Sequence, residues 1–418
     1  MSGTRSDVRS DVRADARADE GVGGILYGMW WDENSSGNYV SLPIDGESGM
    51  IFETTMQNTA SKVIGALSDA NGGTYFGYFL DGGSGGTGAH DGTPAYYVDG
   101  VLVASDQDDL HDALSDGFPH ALRVTGLNLS HADWTQMILG GYSASFIPEG
   151  TFRDVVLRQS DETIVGSWSG YGNTNADWLD KGTGDVGMWF DGVNDKVLFD
   201  GSPFNTKTKG RITGSFQTSS SGYHNIWSLT DETDTGADVS VYLNGGKFYL
   251  TVRTAPGVNI IYAHTDAATF ADGANHTFDV QVDASGNTIK VDGVTQAVTY
   301  VAGNSSTVAW ADDVDDIDIL SVGIRQESTP DGVFDGVVRD LVLYDEDGTT
   351  PLWSVNGYGN TNADWTDKVG SNDGTVSGSP SRAVSTSTGW REANDGTVAG
   401  SPSRAVSTDG GTTWAEES

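Results

Sequence analysis

The densest run of metal-capable oxygen in the chain is ADDVDDIDI, Ala311 to Ile319, which holds Asp312, Asp313, Asp315, Asp316 and Asp318. Carboxylates are the donors that a hard cation such as calcium takes, about six to eight oxygens at a time. A second acidic turn, with Asp191 and Asp195, offers the same chemistry on a smaller scale. Both sets are candidate calcium ligands, and calcium is the one cofactor these residues suggest. The competing reading is a hydrated acidic face. Side chains of an extended segment point alternately to opposite sides, so the five carboxylates of the long run cannot all converge. DETDTGAD, Asp231 to Asp238, offers the same choice and lacks the spacing and closing Glu of a helix-loop-helix calcium loop.

Aromatic side chains are the second chemical resource. Tyr75, Tyr78, Tyr96, Tyr97 and Trp134 in the first half, with Tyr223, Trp227, Tyr249 and Tyr262 in the second, are candidate platforms for a sugar ring or a protein partner. The alternative is that most of them pack the core or its rim. The Gly-rich stretch LDGGSGGTGAHDGTP, Leu80 to Pro94, is a candidate recognition loop.

Catalytic constellations are not evident. The chain has no Cys, which excludes disulfides, thiol nucleophiles and Cys-ligated metals. Its seven His fall at 90, 111, 120, 131, 224, 264 and 276 in no close metal-binding spacing. His111 and His120 flank a Gly-Phe-Pro turn and could meet, a weak basis for zinc. There is no phosphate loop, nucleophile elbow or basic aromatic stripe. A non-enzymatic protein is expected.

The elements that must carry these groups are short strands. KFYLTVR places Phe248, Leu250 and Val252 on one face and Lys247, Tyr249, Thr251 and Arg253 on the other. HTFDVQVD alternates in the same way, with Phe278, Val280 and Val282 on the apolar face. DASGN and VDGV supply turns, and similar units recur about every 8 to 12 residues, the spacing of an antiparallel sandwich.

The chain also repeats itself. GYGNTNADW occurs at Gly170 to Trp178 and again at Gly357 to Trp365. FRDVVL, Phe152 to Leu157, corresponds to VRDLVL, Val338 to Leu343, and YYVDGVLVA, Tyr96 to Ala104, to IKVDGVTQA, Ile289 to Ala297. Two homologous sandwiches over 21–182 and 183–370 follow, with the nonamer as the exit turn of each. DGTVSGSPSRAVST, Asp373 to Thr386, returns as DGTVAGSPSRAVST, Asp395 to Thr408, with a period of 22 residues. Each copy has only Val, Ala, Val and a following Trp to bury, so the tail 371–418 is expected to pack on the second domain or on another molecule.

VGMWFDGVNDKVLFDGSPF, Val186 to Phe204, resembles the opening of the laminin-G-like, or concanavalin A-like, family. TFDVQVDASGNTIKVDG and FDGVVRDLVLYDEDG resemble its central hairpin and closing strand. The likeness covers nearly all of the second domain and, through MWWDENSSGNYVSLP, part of the first. It implies an all-β chain of two tandem jelly-roll sandwiches, often glycan- or protein-binding and sometimes calcium-dependent at one edge. The chain departs from polysaccharide hydrolases of this fold, because no repeated strand carries two Glu separated by an Asp. Retaining hydrolysis needs two carboxyl groups about 5 to 5.5 Å apart.

Charge bounds the partners. The formal net charge of -37 makes nonspecific contact with nucleic acid or anionic lipid unfavourable. The acidic excess, mostly Asp with Lys scarcer than Arg, is the bias of a protein working in high salt. The first 20 residues alternate Arg5, Arg9, Arg13 and Arg17 with Asp7, Asp11, Asp15 and Asp19, a candidate assembly arm that is either disordered or ordered by a partner. The arm lacks the apolar run of a secretory signal, and no stretch reaches the about 20 apolar residues of a bilayer span.

These features lead to an expected virion surface protein, a spike, head fibre or tail adhesin. Its expected partners are copies of itself in a trimer or pentamer, other virion proteins, and a host glycan or surface protein. The alternative is a cellular surface or exported glycan-binding protein, and a lesser one is a polysaccharide-active enzyme.

Overall fold

The computed structural model describes residues 26–31, 39–44, 47–58, 63–68, 76–81, 92–103, 110, 113–114, 116–130, 136–139, 150–233, 236–386, 389–399, 403–407 and 415–416. The chain is all-β and forms two compact units, each a jelly-roll sandwich of antiparallel sheets. One unit is 184–392, and the other combines 1–183 with 393–418. No helix among the described residues is long and apolar enough to cross a membrane.

In the 184–392 unit, a nine-stranded sheet has at its centre Gly210–Gln217, Asp335–Tyr344 and Val186–Asp191. The facing eight-stranded sheet runs Val298–Ala302, Val258–Thr265, Lys247–Ala255, Asp238–Asn244, His224–Thr230, Ile319–Val322, Lys196–Asp200, Thr375–Ser377. The alternation read in the sequence places the core. Phe248, Leu250 and Val252 are buried from one sheet, and Phe278, Val280 and Val282 from the other. Phe190, Phe216, Trp227, Trp310, Phe334, Trp353 and Trp365 fill the space between. Removing each such side chain from water stabilises the fold by roughly 1.5–3 kcal/mol before chain entropy is counted.

The other unit repeats the plan. Leu26–Trp31, Gly150–Arg158, Ser48–Asn58 and His120–Asn128 form the middle of a nine-stranded sheet. A five-stranded sheet contains Thr397–Ala399, Tyr39–Pro43, Gln136–Leu139, Val63–Ser68 and Phe76–Asp81. Met50, Phe52, Leu122, Val124, Phe152, Trp168 and Trp178 belong to its core.

The tail differs from the expectation of a separate segment over 371–418. Its two copies are divided between the units. The first copy lays Ser381–Ser385 against Val186–Asp191, with Val384 opposite Val186 and Ala383 opposite Gly187, and pairs Val376 with Val197. The second lays Ser403–Ser407 against Leu26–Trp31, with Ala405 opposite Gly28, and pairs Val398 with Val40. The physical reason is the one visible in the composition: a Val-Ala-Val peptide cannot make a core, but it can complete two sheets that lack an outer strand. The unit expected over 21–182 is therefore closed by 393–418, and 184–392 is a chain insertion within it.

The repeated nonamer is the clamp for that peptide. In each copy a short 3-10 turn, Asn175–Trp178 or Asn362–Trp365, buries its Trp and is fixed by a Thr-Asp capping box, Thr174 with Asp177 or Thr361 with Asp364. The indole donates to Gly172 O at 3.2 Å and to Gly359 O at 3.1 Å respectively. The Trp carbonyl then accepts the amide of Gly396 or Gly374, and the Asn side chain accepts the amide of Val398 or Val376. Two repeats that look unrelated in sequence are lock and key in the fold.

Candidate functional site

The eight-stranded sheet of the 184–392 unit has one face in the core and a second face built almost wholly of polar and aromatic groups. Strand register sets the rows. Thr230, Asp238 and Arg253 are successive neighbours, as are Ser321, Ser228, Ser240, Thr251 and Tyr262, and then Tyr242, Tyr249 and His264. Each has at least one chain neighbour that points into the core, such as Leu229 beside Thr230, Val252 beside Arg253 and Ala263 beside His264, so all of them face outward from it.

The segment from Gly323 to Phe334 lies against part of this face. Ile324 O accepts Asn225 Nδ2 and Ser321 Oγ, both at 2.8 Å, and Gln326 O accepts the Thr230 hydroxyl. Arg325 and Asp331 exchange backbone hydrogen bonds, and Arg325 Nη2 donates to Asp331 Oδ2 at 2.6 Å. Gly332 adopts φ +65°, and a Cβ there would come within 2.7 Å of the Tyr223 ring, so this turn requires glycine.

Charge is concentrated beneath the segment. Arg253 donates to Asp238 Oδ1, Arg325 Nε lies 3.2 Å from Glu327 Oε1, and Asp238 and Glu327 side chains are fully buried. Two guanidinium groups thus meet three carboxylates. Burial pushes the Asp238 carboxyl well above the ordinary range; Arg325 opposes the rise, while Glu327 and Asp331 add to it. Burial would lower the Arg325 pKa, but Tyr223 and the three carboxylates outweigh it, so Arg325 stays charged. The Tyr223 hydroxyl is also pushed up by burial. Four buried oxygens here, Asn225 Oδ1, Asp238 Oδ2, Ser240 Oγ and Asp331 Oδ1, have no protein hydrogen-bond partner. Such groups need donors or acceptors from outside the chain.

Beside the cluster stands a row of tyrosines. Tyr242 and Tyr249 stack with centroids 4.8 Å apart and planes 8° apart, and Tyr262 continues the row 5.9 Å from Tyr249. Tyr242 is buried, its hydroxyl accepting from Thr251 Oγ1 at 3.3 Å, while Tyr249 and Tyr262 are half-buried and form the accessible part of the row. Tyr223 meets Tyr242 edge-on at 4.9 Å, and His264 lies 5.1 Å from Tyr249. The result is a row of aromatic rings beside a floor of paired charges.

Of the aromatic candidates, Tyr223, Tyr249 and Tyr262 come together here. Trp227 does not: it is 0% exposed and stacks on Trp310 in the core. Tyr96 is likewise a core residue at 3% exposure, whereas Tyr97, its neighbour on the opposite strand face, is half-buried. Both corrections follow from strand alternation, which sends large apolar faces inward. Tyr78 lies in strand Phe76–Asp81. Tyr75, Trp134 and the arm residues Arg5, Arg9, Arg13 and Arg17 lie outside the described residues. Tyr242, Arg325 and Asp331 were not singled out from the sequence, and Asp238 stood only as the last residue of DETDTGAD, weighed as a cation site. The alternation in DVSVYLN carried the signal for Tyr242 and Asp238; the path of the 323–334 segment had none.

The calcium candidates are spread differently. Asp195 is buried, with Oδ2 accepting the Asp191 amide at 3.0 Å and Oδ1 the Ser379 amide at 2.8 Å, while Asp191 Oδ1 accepts the Val193 amide. These oxygens brace a turn and hold the first tail copy. In the long run Val314 and Ile317 point inward, while Asp312, Asp313, Asp315 and Asp316 are exposed. Asp313 accepts the Trp310 amide and Asp318 the Glu232 amide. Neither set converges as a calcium shell, and among the described residues no group of three or more His, Asp or Glu is arranged to hold a metal. His120 lies instead between two carboxylates, Asp99 at 2.8 Å and Asp116 at 2.9 Å, and His276 between Asp292 and Asp272 in the same way. His111 is outside the described residues.

No protein-family model and no curated protein matches the chain. Among solved structures, the Ruminococcus gnavus IT-sialidase CBM40 bound to α2,6 sialyllactose is similar at 15% identity and TM-score 0.32, covering 38% of this chain and 90% of its own. Domains LG4-5 of the mouse laminin α1 chain are similar at 17% identity and TM-score 0.30, covering 78% of this chain and 91% of their own. A native heptameric SAP-like pentraxin from Limulus polyphemus is similar at 13% identity and TM-score 0.28, covering 39% and 76%.

Proposed function

We propose that the 184–392 unit is a non-enzymatic glycan-binding module and that its site is the outward face of the eight-stranded sheet. The observation that carries this reading is the Tyr242, Tyr249 and Tyr262 row beside the Arg253, Asp238 and Arg325 cluster. A sugar combines apolar C–H surface with many hydroxyls that both donate and accept. The half-buried Tyr249 and Tyr262 rings supply apolar contact area for the first requirement, and their hydroxyls supply hydrogen bonds for the second. Asp238 and Glu327 are fully buried and engaged by Arg253 and Arg325, so they brace the floor of the site and do not form an acid and nucleophile open to substrate. Such binding suits an extracellular or cell-surface setting. The virion setting rests on the sequence repeats and acidity, and mass spectrometry of purified particles tests it.

A glycan array probed with the full chain, followed by calorimetric titration of the retained oligosaccharide, tests the site. Tyr249→Ala is expected to weaken binding about tenfold, equivalent to about 1.4 kcal/mol, with little change in melting temperature because Tyr249 is only half-buried. Retention of full affinity by Tyr249→Ala, or no glycan retained by the wild-type chain, would sink the proposal.

A further inference from the structure

The two tail copies are the same peptide in the same lock. DGTVSGSPSRAVST and DGTVAGSPSRAVST differ only at Ser377 and Ala399. In each unit the alanine of the peptide faces a glycine, Ala383 with Gly187 and Ala405 with Gly28, and Val376 or Val398 faces Val197 or Val40. The clamp contacts also coincide: a buried Trp carbonyl accepts a Gly amide, and an Asn side chain accepts a Val amide at 2.8 Å in both. An Asp amide–carboxylate bond repeats as well, from Asp367 N to Asp373 and from Asp180 N to Asp395, each 2.9 Å. Contact chemistry therefore does little to determine which peptide enters which groove. Chain connectivity does.

Connectivity favours the two units unequally. In the 184–392 unit, the clamp ending at Trp365 is followed almost at once by its peptide at Asp373. In the other, the whole inserted unit separates Trp178 from Asp395. A second molecule presents the same peptide to that groove with every contact preserved, so the choice between them depends on effective concentration.

We infer that the groove formed by Leu26–Trp31 and Tyr39–Pro43 is an interaction surface for the second tail copy of another molecule of this chain, giving strand-exchanged homo-oligomers. Reciprocal exchange closes a dimer, and exchange around a ring closes a larger cyclic assembly. No contact outside those already made within one chain is required.

The absence of Cys makes the test clean. Ser41 and Thr397 face each other across the groove. Full chains carrying Ser41→Cys alone and Thr397→Cys alone are mixed, unfolded, refolded together over a range of concentrations and treated with a short bis-maleimide. Exchange predicts a linked species of twice 44.0 kDa that joins one chain of each kind through the two engineered positions, as read by peptide mass spectrometry. While exchange is minor, a tenfold rise in concentration should raise its fraction about tenfold. The Ser41→Cys/Thr397→Cys double variant, refolded dilute, reports that the groove forms by linking within one chain. Within-chain linking by the double variant, together with no mixed link at any concentration, overturns the inference; so does an oligomer whose links omit the 41–397 pair.

Discussion

His120 and His276 show how a single side chain is set by its neighbours. Each imidazole has a carboxylate at both ring nitrogens, and for His120 both contacts are hydrogen bonds only when both nitrogens carry a proton. For His120, burial opposes protonation, but the bonds and charges of Asp99 and Asp116 outweigh it and raise the pKa above 6.5. A folded value above the unfolded one gives stability that is complete below pH 6.5 and is lost as pH rises through the folded value. The melting temperature should therefore fall between pH 6.5 and 9 by more in the wild-type chain than in His120→Gln. Parallel profiles for the two proteins would show that the clamp adds nothing. The carboxylates of Asp191 and Asp195 teach a related lesson: an acidic turn that reads as a cation site is here engaged by backbone amides.

Strands were legible because burial on one face leaves a period of two. KFYLTVR and HTFDVQVD have the burial their patterns imply, and the Phe-Asp-Gly motif at 190–192 ends the Val186–Asp191 strand as the laminin-G-like resemblance implies. The nonamer was legible as a turn, but what it holds was not. Its partner lies in a distant segment whose own composition states only that it needs a host. The site was half legible for the same reason: Tyr249 and Arg253 share a strand face, whereas Arg325 reaches them through a loop with no periodicity. Asp195 tests the tail's dependence on its host. Asp195→Ala leaves the Asp191 and Ser379 amides without their acceptor, at a cost of about 1–3 kcal/mol for a buried group. Hydrogen exchange should quicken in 373–385 and remain unchanged in the Asp238–Asn244 strand; equal exchange in the tail would refute the anchoring role.

At the scale of the molecule, charge and chain order dominate. A net charge of -37 repels itself, and screening at molar salt shortens that repulsion to about 3 Å. Melting temperature should rise with potassium chloride from dilute to molar concentration. Chelator followed by millimolar calcium at constant molar salt should leave it unchanged, and a calcium-dependent rise in scanning calorimetry would instead establish a site. The insertion of one unit into the other has a consequence for synthesis. Asn175 waits for Val398, 223 residues later. At about 5–20 residues per second on a ribosome, that delay is roughly 10 to 45 seconds. Throughout it the Leu26–Trp31 strand lacks its outer neighbour and offers a bare edge. The inserted unit, whose own closing peptide emerges sooner, is complete first. The portion of the protein made earliest is thus the last to finish folding.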